Sequence, residues 1–204
     1  MIQLMILYIF ISCRSRIKQC LPRITKMMKD IGSDDYIVVV GGTETKVDKH
    51  LVQIDCNDYY EGLPEKVIKT FKFVHDNTRF GGYTHFCKLD DDMVIRQLLQ
   101  TKQLDDFSGK VWNSFNGNRR YHMGRCSTNS TFNTTEYKGV FVPWCAGGNG
   151  YCISLESMKI LAIAEDYYDE IFEDVYVAKL LRDRQILPVS IVNQSEYLYS
   201  KDHS

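Results

Sequence analysis

Tyr36-Ile37-Val38-Val39-Val40-Gly41-Gly42 is the stretch whose reading decides the fold. A continuous β-branched run closed by two glycines reads as a strand buried on both faces, and such strands belong to parallel sheets covered by helices. Upstream, Arg16 to Lys29 carries Ile17, Cys20, Leu21, Ile24, Met27 and Met28 at spacings of three and four, with basic residues between them. That is an amphipathic helix, with Pro22 placed to break it or shift its start. Earlier still, Met1 to Ser12 is mostly apolar. It is too short for a membrane span, which needs about 20 residues, and it has neither the basic flank nor the small-residue cleavage site of a signal peptide. It therefore reads as a buried first strand. Strand, helix, strand opens a parallel α/β sheet.

The alternation continues downstream. His50 to Ile54 reads as a strand, Asp55 to Gly62 as a polar loop, and Glu65 to Asp76 as a helix introduced by Pro64. Thr84 to Leu89 is the next strand and Ile95 to Gln103 a short helix; Asn113 to Lys138 is a polar segment too long for a simple connection. Helices over Leu155 to Ala164, capped by Ser154, and Ile171 to Leu181 precede a last strand, Ile186 to Val192. With 204 residues and 44% hydrophobic content, the chain is read as one domain, 1–204. The expected class is α/β, Rossmann-like, with a mixed, mostly parallel central sheet flanked by helices.

A formal net charge of −1 gives no electrostatic case for nucleic acid or an anionic membrane as the main partner. The partner is expected to be small or carried in a pocket. Cys13, Cys20, Cys56, Cys87, Cys126, Cys145 and Cys152 are odd in number, form no CxxC pair and mostly sit in apolar segments, so they read as small buried hydrophobes. Sequons at Asn129, Asn133 and Asn193 are acceptors only in a secretory lumen. With no entry signal visible, a cytoplasmic protein with no integral membrane span is expected.

Two places concentrate acids. Asp90-Asp91-Asp92 falls at the carboxyl end of a strand, the edge where open α/β sheets bind ligands. Three adjacent carboxylates repel one another unless a cation neutralises them, and hard oxygen donors suit Mn²⁺ or Mg²⁺; the rival reading is an acidic turn. Glu173-Asp174 opens a helix, where acids are also favourable against the macrodipole alone. Between these acids, Gly147-Gly148-Asn149-Gly150 lets the backbone lie close against something flat or bulky. Arg119, Arg120, His122 and Arg125 make the long loop basic, suited to phosphate, to an acidic acceptor or simply to solvent.

Taken together, these segments resemble a GT-A fold glycosyltransferase of the β-1,3-galactosyltransferase and Fringe-type group. Asp55 to Lys66 (DCNDYYEGLPEK) is similar to its D-x-Y-x-N-L-t-x-K segment, and Lys88 to Ile95 (KLDDDMVI) to its K-x-D-D-D-V-F-V metal motif. Ala146 to Ser154 (AGGNGYCIS) resembles G-G-x-G-Y-v-l-S, and Glu173 to Val177 matches E-D-V-y-v-G, with Ala178 in place of the glycine. The membrane anchor and paired cysteines usual in that group are not visible, which suggests a microbial or large-virus relative.

The resemblance implies Mn²⁺ or Mg²⁺ on Asp92, with Asp90 and Asp91 near the ribose, diphosphate or sugar of a UDP-sugar donor, Asp90 sharing the metal. His203 is the candidate for a metal-site histidine, and Asp174 for the catalytic base. Arg14 and Arg16, just after the first strand, are placed for the diphosphate, Tyr8 to Ser12 for the uracil site, Lys66 for the strand ends, and Gly147 to Gly150, with Gly147 and Gly148 foremost, for the donor sugar or acceptor; surface or core roles are the alternative for the first strand, its arginines and Lys66. The expected reaction is metal-dependent, inverting transfer of a sugar from a nucleotide-sugar to a hydroxyl of a glycan or glycoconjugate acceptor. The long loop is the natural selector of that acceptor. The alternatives are a metal-dependent nucleotidyl or phosphoryl transferase on a similar sheet, and a sugar-nucleotide-binding module without turnover.

Overall fold

The structure is a computed structural model that describes residues 5–200. The elements in chain order are β1 (Ile6–Ile11), α1 (Ile17–Asp30), β2 (Tyr36–Gly42), β3 (Lys46–Asp48), β4 (Leu51–Asp55), α2 (Leu63–Asp76), β5 (His85–Asp90) and β6 (Met93–Ile95). Then come β7 (Phe107–Gly109), β8 (Val111–Trp112), β9 (Trp144–Cys145), β10 (Tyr151–Ser154), α3 (Leu155–Ala162), α4 (Glu173–Arg182), β11 (Val189–Ser190), α5 (Gln194–Tyr197) and β12 (Leu198–Ser200).

Among the described residues the central sheet has eight strands in the order β11-β7-β10-β5-β1-β2-β4-β3. The pairs β5-β1, β1-β2, β2-β4 and β11-β7 are parallel, while β10 runs antiparallel to both neighbours and β3 antiparallel to β4. The sheet is thus α/β, mixed and mostly parallel, as read from the β-branched runs. Val38, Val39 and Ile37 are fully buried, and β1 is buried along its whole length, because helices cover both faces. One side packs Leu7, Ile9, Ile37 and Val39 against Val67 and Phe71 of α2 and Val175 and Leu181 of α4. The other packs Tyr8, Phe10 and Val38 against Cys20, Ile24 and Met28 of α1. Each such side chain contributes about 1.5–3 kcal/mol on burial.

Several expectations are corrected. α1 runs through Pro22, whose ring lies on the exposed side where water can serve the carbonyl it leaves unpaired. Ile95 to Gln103 is not a helix: Met93–Ile95 pairs with β12, and only Thr101–Gln103 makes a helical turn. The last strand shrinks from Ile186–Val192 to Val189–Ser190, an edge strand held only by β7. Cys87 and Cys152 face each other in register across β5 and β10 and form a disulfide, so these two are not free hydrophobes. Among the described residues no helix is long and apolar enough to cross a membrane.

Candidate active site

The carboxyl ends of β1, β2, β4 and β5 share one edge of the sheet, and Asp58 fastens three of the segments there. Its Oδ1 accepts from the Gly41 amide at 2.6 Å and from Lys66 Nζ at 2.7 Å; its Oδ2 accepts from the Arg14 amide at 2.6 Å. Lys66 Nζ also donates to the Ser12 carbonyl at 2.9 Å. Lys66 is 1% exposed. A lysine that deep is stable only with its ammonium fully partnered, so Lys66 acts on the edge through Asp58 and Ser12. Gly41 is required because a Cβ there would come within 2.9 Å of Asp58.

The three acids that follow β5 part company. Asp91 turns inward and is 4% exposed; it accepts from the Ser12 hydroxyl at 2.7 Å and pairs with Arg16 at 2.9 Å. Arg23 donates to the carbonyls of Asp91 and Met93, which fixes the turn from behind. Asp90 points the other way, to Lys88 Nζ at 2.6 Å, with its side chain 39% exposed. Asp92 is half-buried at the turn. Ser12 and Arg16 therefore reach the site through Asp91, whereas Arg14 keeps an exposed side chain beside it.

Lys88 links this edge to the second acid pair. It is 2% exposed, and its ammonium reaches Asp90 Oδ1, Glu173 Oε1 at 2.7 Å and the Gly147 carbonyl at 3.4 Å. Burial opposes the charge, yet the Asp90 and Glu173 carboxylates hold the Lys88 ammonium well above the ordinary lysine range. Tyr151 donates its hydroxyl to Glu173 Oε2 at 2.9 Å. Burial pushes the Glu173 carboxyl up to about 7, with Lys88 pulling the other way.

Next to it, Asp174 is half-buried and accepts from the Gly147 amide at 2.8 Å and the Val175 amide at 2.9 Å. Its pKa is raised, chiefly by burial, against the hydrogen bond from Gly147 and the charge of Lys88. A Cβ on Gly147 would drive into Glu173, while Gly148 is exposed and has only Asp90 nearby, at 3.9 Å. Gly147 is thus a close-packing point of the site, and Gly148 lies open beside Asp90.

Among the described residues no three His, Cys, Asp or Glu side chains converge as metal donors. A Mg²⁺- or Mn²⁺-type cation that arrives with a diphosphate needs only one or two protein carboxylates, the phosphates and water supplying the rest. Asp90, with Oδ1 on Lys88 but its side chain 39% exposed and Oδ2 toward Gly148, is the carboxylate open to such an ion; Asp91 is committed to Ser12 and Arg16, and Asp92 follows it on the same turn. His203 lies outside the described residues.

The structure thus brings Asp90, Asp174, Gly147 and Gly148 together, with Ser12, Arg16 and Asp91 on the adjoining turn. Sequence reasoning passed over Lys88, Tyr151 and Asp58 as parts of the site. All three carried a signal, since each lies in a quoted motif, but nothing in the sequence marked Tyr151 as the partner of Glu173.

A family model described as galactosyltransferase matches residues 29–192. No curated protein sequence matches the chain significantly. Among solved structures, a Bacillus anthracis protein described as a glucose-1-phosphate thymidylyltransferase aligns with TM-score 0.49 at 9% identity, covering 96% of this chain and 89% of that one. The CTP:phosphocholine cytidylyltransferase of Streptococcus pneumoniae aligns with TM-score 0.47 at 13% identity, over 97% and 93% of the two chains.

Proposed function

The chain belongs to the galactosyltransferase family and is a glycosyltransferase, and from that premise we propose that it moves a hexose from a UDP-sugar to an acceptor hydroxyl by a metal-dependent single displacement with inversion. The observation that carries this reading is the connection of Asp90 to Asp174 through Lys88 and Gly147, which joins a charge-handling strand end to a separate carboxylate. Asp90 and Asp92 would hold Mn²⁺ or Mg²⁺, which when bound supplies Lewis-acid neutralisation of the departing diphosphate. Arg14, exposed three residues after β1, would supply a guanidinium to the diphosphate.

Asp174 takes the proton of the acceptor hydroxyl. Burial raises its basicity, and the Gly147 and Val175 amides fix its carboxylate in one orientation. Gly148 offers backbone and open space beside Asp90, where a bulky side chain would exclude the sugar.

The test is Asp174→Asn, assayed for sugar transfer and for UDP affinity with Mn²⁺ present. Transfer is expected to fall by at least about a hundredfold, the range of general-base contributions, with UDP affinity retained. Undiminished transfer would remove Asp174 from the role of base.

A further inference from the structure

Glu173 stands next to the proposed base and has no step of its own. It opens α4 with its side chain 7% exposed, and both carboxylate oxygens are taken, Oε1 by Lys88 Nζ at 2.7 Å and Oε2 by the Tyr151 hydroxyl at 2.9 Å. A carboxylate so enclosed cannot reach a substrate. The helix N-terminus favours an acid there, but burying a full charge is stable only when the charge is paired. Lys88 is that pair, and it has a second carboxylate on it.

The ammonium of Lys88 has three hydrogens for three acceptors: Glu173 Oε1, Asp90 Oδ1 at 2.6 Å and the Gly147 carbonyl at 3.4 Å. Its two carboxylates differ in access, since Asp90 is the one member of the three side chains open to solvent. Lys88 and Asp90 alone would make a neutral pair, and a divalent cation drawn to Asp90 would be opposed by the ammonium on the same carboxylate. Glu173 on the buried side leaves the three groups with one net negative charge. That charge is presented at Asp90. The packing is specific to this contact: Tyr151 lies opposite Lys88 in the ladder of β10 and β5, and its ring centroid is 5.8 Å from the ammonium. A Cβ on Gly147 would collide with Glu173 Oε1 and come within 3.3 Å of Lys88 Nζ, so a glycine is needed for the turn to close over the pair.

We infer that Glu173 is a positioning residue for the cation of the reaction: acting through Lys88, whose charge it offsets, it leaves Asp90 a negative charge to offer a divalent metal. This rests on the metal-dependent reading of sugar transfer, with Asp90 as the open carboxylate.

The experiment measures Mn²⁺ binding to the full chain with UDP present, from the electron paramagnetic resonance signal of free Mn²⁺, after subtraction of the Mn²⁺ held by UDP alone. It is run at pH 8, above the value of about 7 to which burial raises the Glu173 carboxyl. Glu173→Gln should weaken Mn²⁺ binding about tenfold. The double variant Lys88→Gln/Glu173→Gln removes both buried charges and leaves that of Asp90, so its Mn²⁺ affinity should return to within about threefold of the wild type. A residue that only packs α4 gives the opposite order, because the double variant loses more buried bonds than the single one. Wild-type Mn²⁺ affinity in Glu173→Gln overturns the proposal, as does a double variant about tenfold or more weaker than the wild type; the second comparison stands even where the single variant does not fold. Asp90→Asn is measured alongside and should abolish the binding. A wild-type chain that binds no Mn²⁺ with UDP, or an Asp90→Asn variant that binds it undiminished, overturns the metal-dependent reading itself, a failure distinct from a Glu173 variant without effect.

Discussion

Two regions of the molecule, a sheet wall and a loop wall, are built on different principles. The wall formed by β1, β2, β4 and β5 is parallel sheet, and its ends are tied by a buried ion pair and by side chains that reach across strands distant in sequence, such as Ser12 to Asp91 and Lys66 to Asp58. The loop wall, 113–143, contains two short 3-10 turns, Ser114–Asn116 and Thr131–Asn133, and the two-residue ladder of β8 and β9 reaches only its ends. Ring contacts hold it, with Tyr137 5.0 Å from Phe172 and Phe141 5.6 Å from Trp144, along with side-chain bonds to loop carbonyls. A wall whose polar groups are locked by long-range contacts cannot change one residue without disturbing several elements. A wall held mainly by bonds to loop carbonyls and an aromatic base, with a few tethers such as Ser127 to Glu61, can vary the residues between those anchors more freely. The first arrangement suits charge handling that must stay fixed, and the second suits recognition.

Substitutions that break the long-range ties should therefore cost most. Lys66→Met leaves Asp58 partly buried without its cation and frees the ends of β1 and α2; the expected loss is about 3–5 kcal/mol in urea-unfolding stability, the range for breaking a buried pair from one side. A loss below about 1 kcal/mol would show that the strand ends are held by the backbone alone. The disulfide comes next. Cys87 and Cys152 join β5 of the rigid wall to β10, which leads out of the Gly147 turn, at a sequence separation of 65. The double variant Cys87→Ala/Cys152→Ala, or reduction of the wild type, should cost about 2–4 kcal/mol. Labelling of the denatured, unreduced chain should find five thiols of the seven cysteines; seven would mean the bridge is open in the isolated protein, the state the reducing conditions of a cytosol favour.

The rigid wall was the legible one. Tyr36 to Val40 and the apolar run before Ser12 announce buried strands because a strand covered on both faces needs no alternation, and the acids after Leu89 fall where such sheets bind ligands. Failures came where a distant partner decides the local structure. Ile95 to Gln103 reads as a short helix, but Ile95 is claimed by Leu198 in a strand pair, and the Tyr8 hydroxyl accepts from the Leu99 amide. The bridge between Cys87 and Cys152 exists because β10 runs antiparallel to β5, a topology that no cysteine spacing encodes. Lys88 looked like an ordinary residue of a motif, and only the approach of α4 gives it Glu173 as a second carboxylate. In the loop, composition could not sort Arg119 and His122, which the fold commits to loop carbonyls, from Arg125, which stays exposed.

The smallest predicted effect isolates the loop from the sheet. Glu61 is its main tether to the segment before α2, accepting from both the amide and the hydroxyl of Ser127. Burial opposes ionisation of Glu61, but the hydrogen bonds from Ser127 outweigh it and hold the carboxyl below its usual 4.5. A carboxyl depressed on folding contributes stability that is complete above the unfolded pKa and is lost as pH falls through the folded one. Acidification below 4.5 should therefore weaken this tether, and Glu61→Gln should reproduce the effect at neutral pH. The expected cost is about 1–2 kcal/mol, appropriate to charged hydrogen bonds at a half-buried site. Amide exchange should show it as faster exchange confined to residues 121–133, with β1 and β5 unchanged. Equal acceleration in the β1 amides would mean that the two walls unfold as one unit, and that the loop is not the independently variable face its local bonding implies.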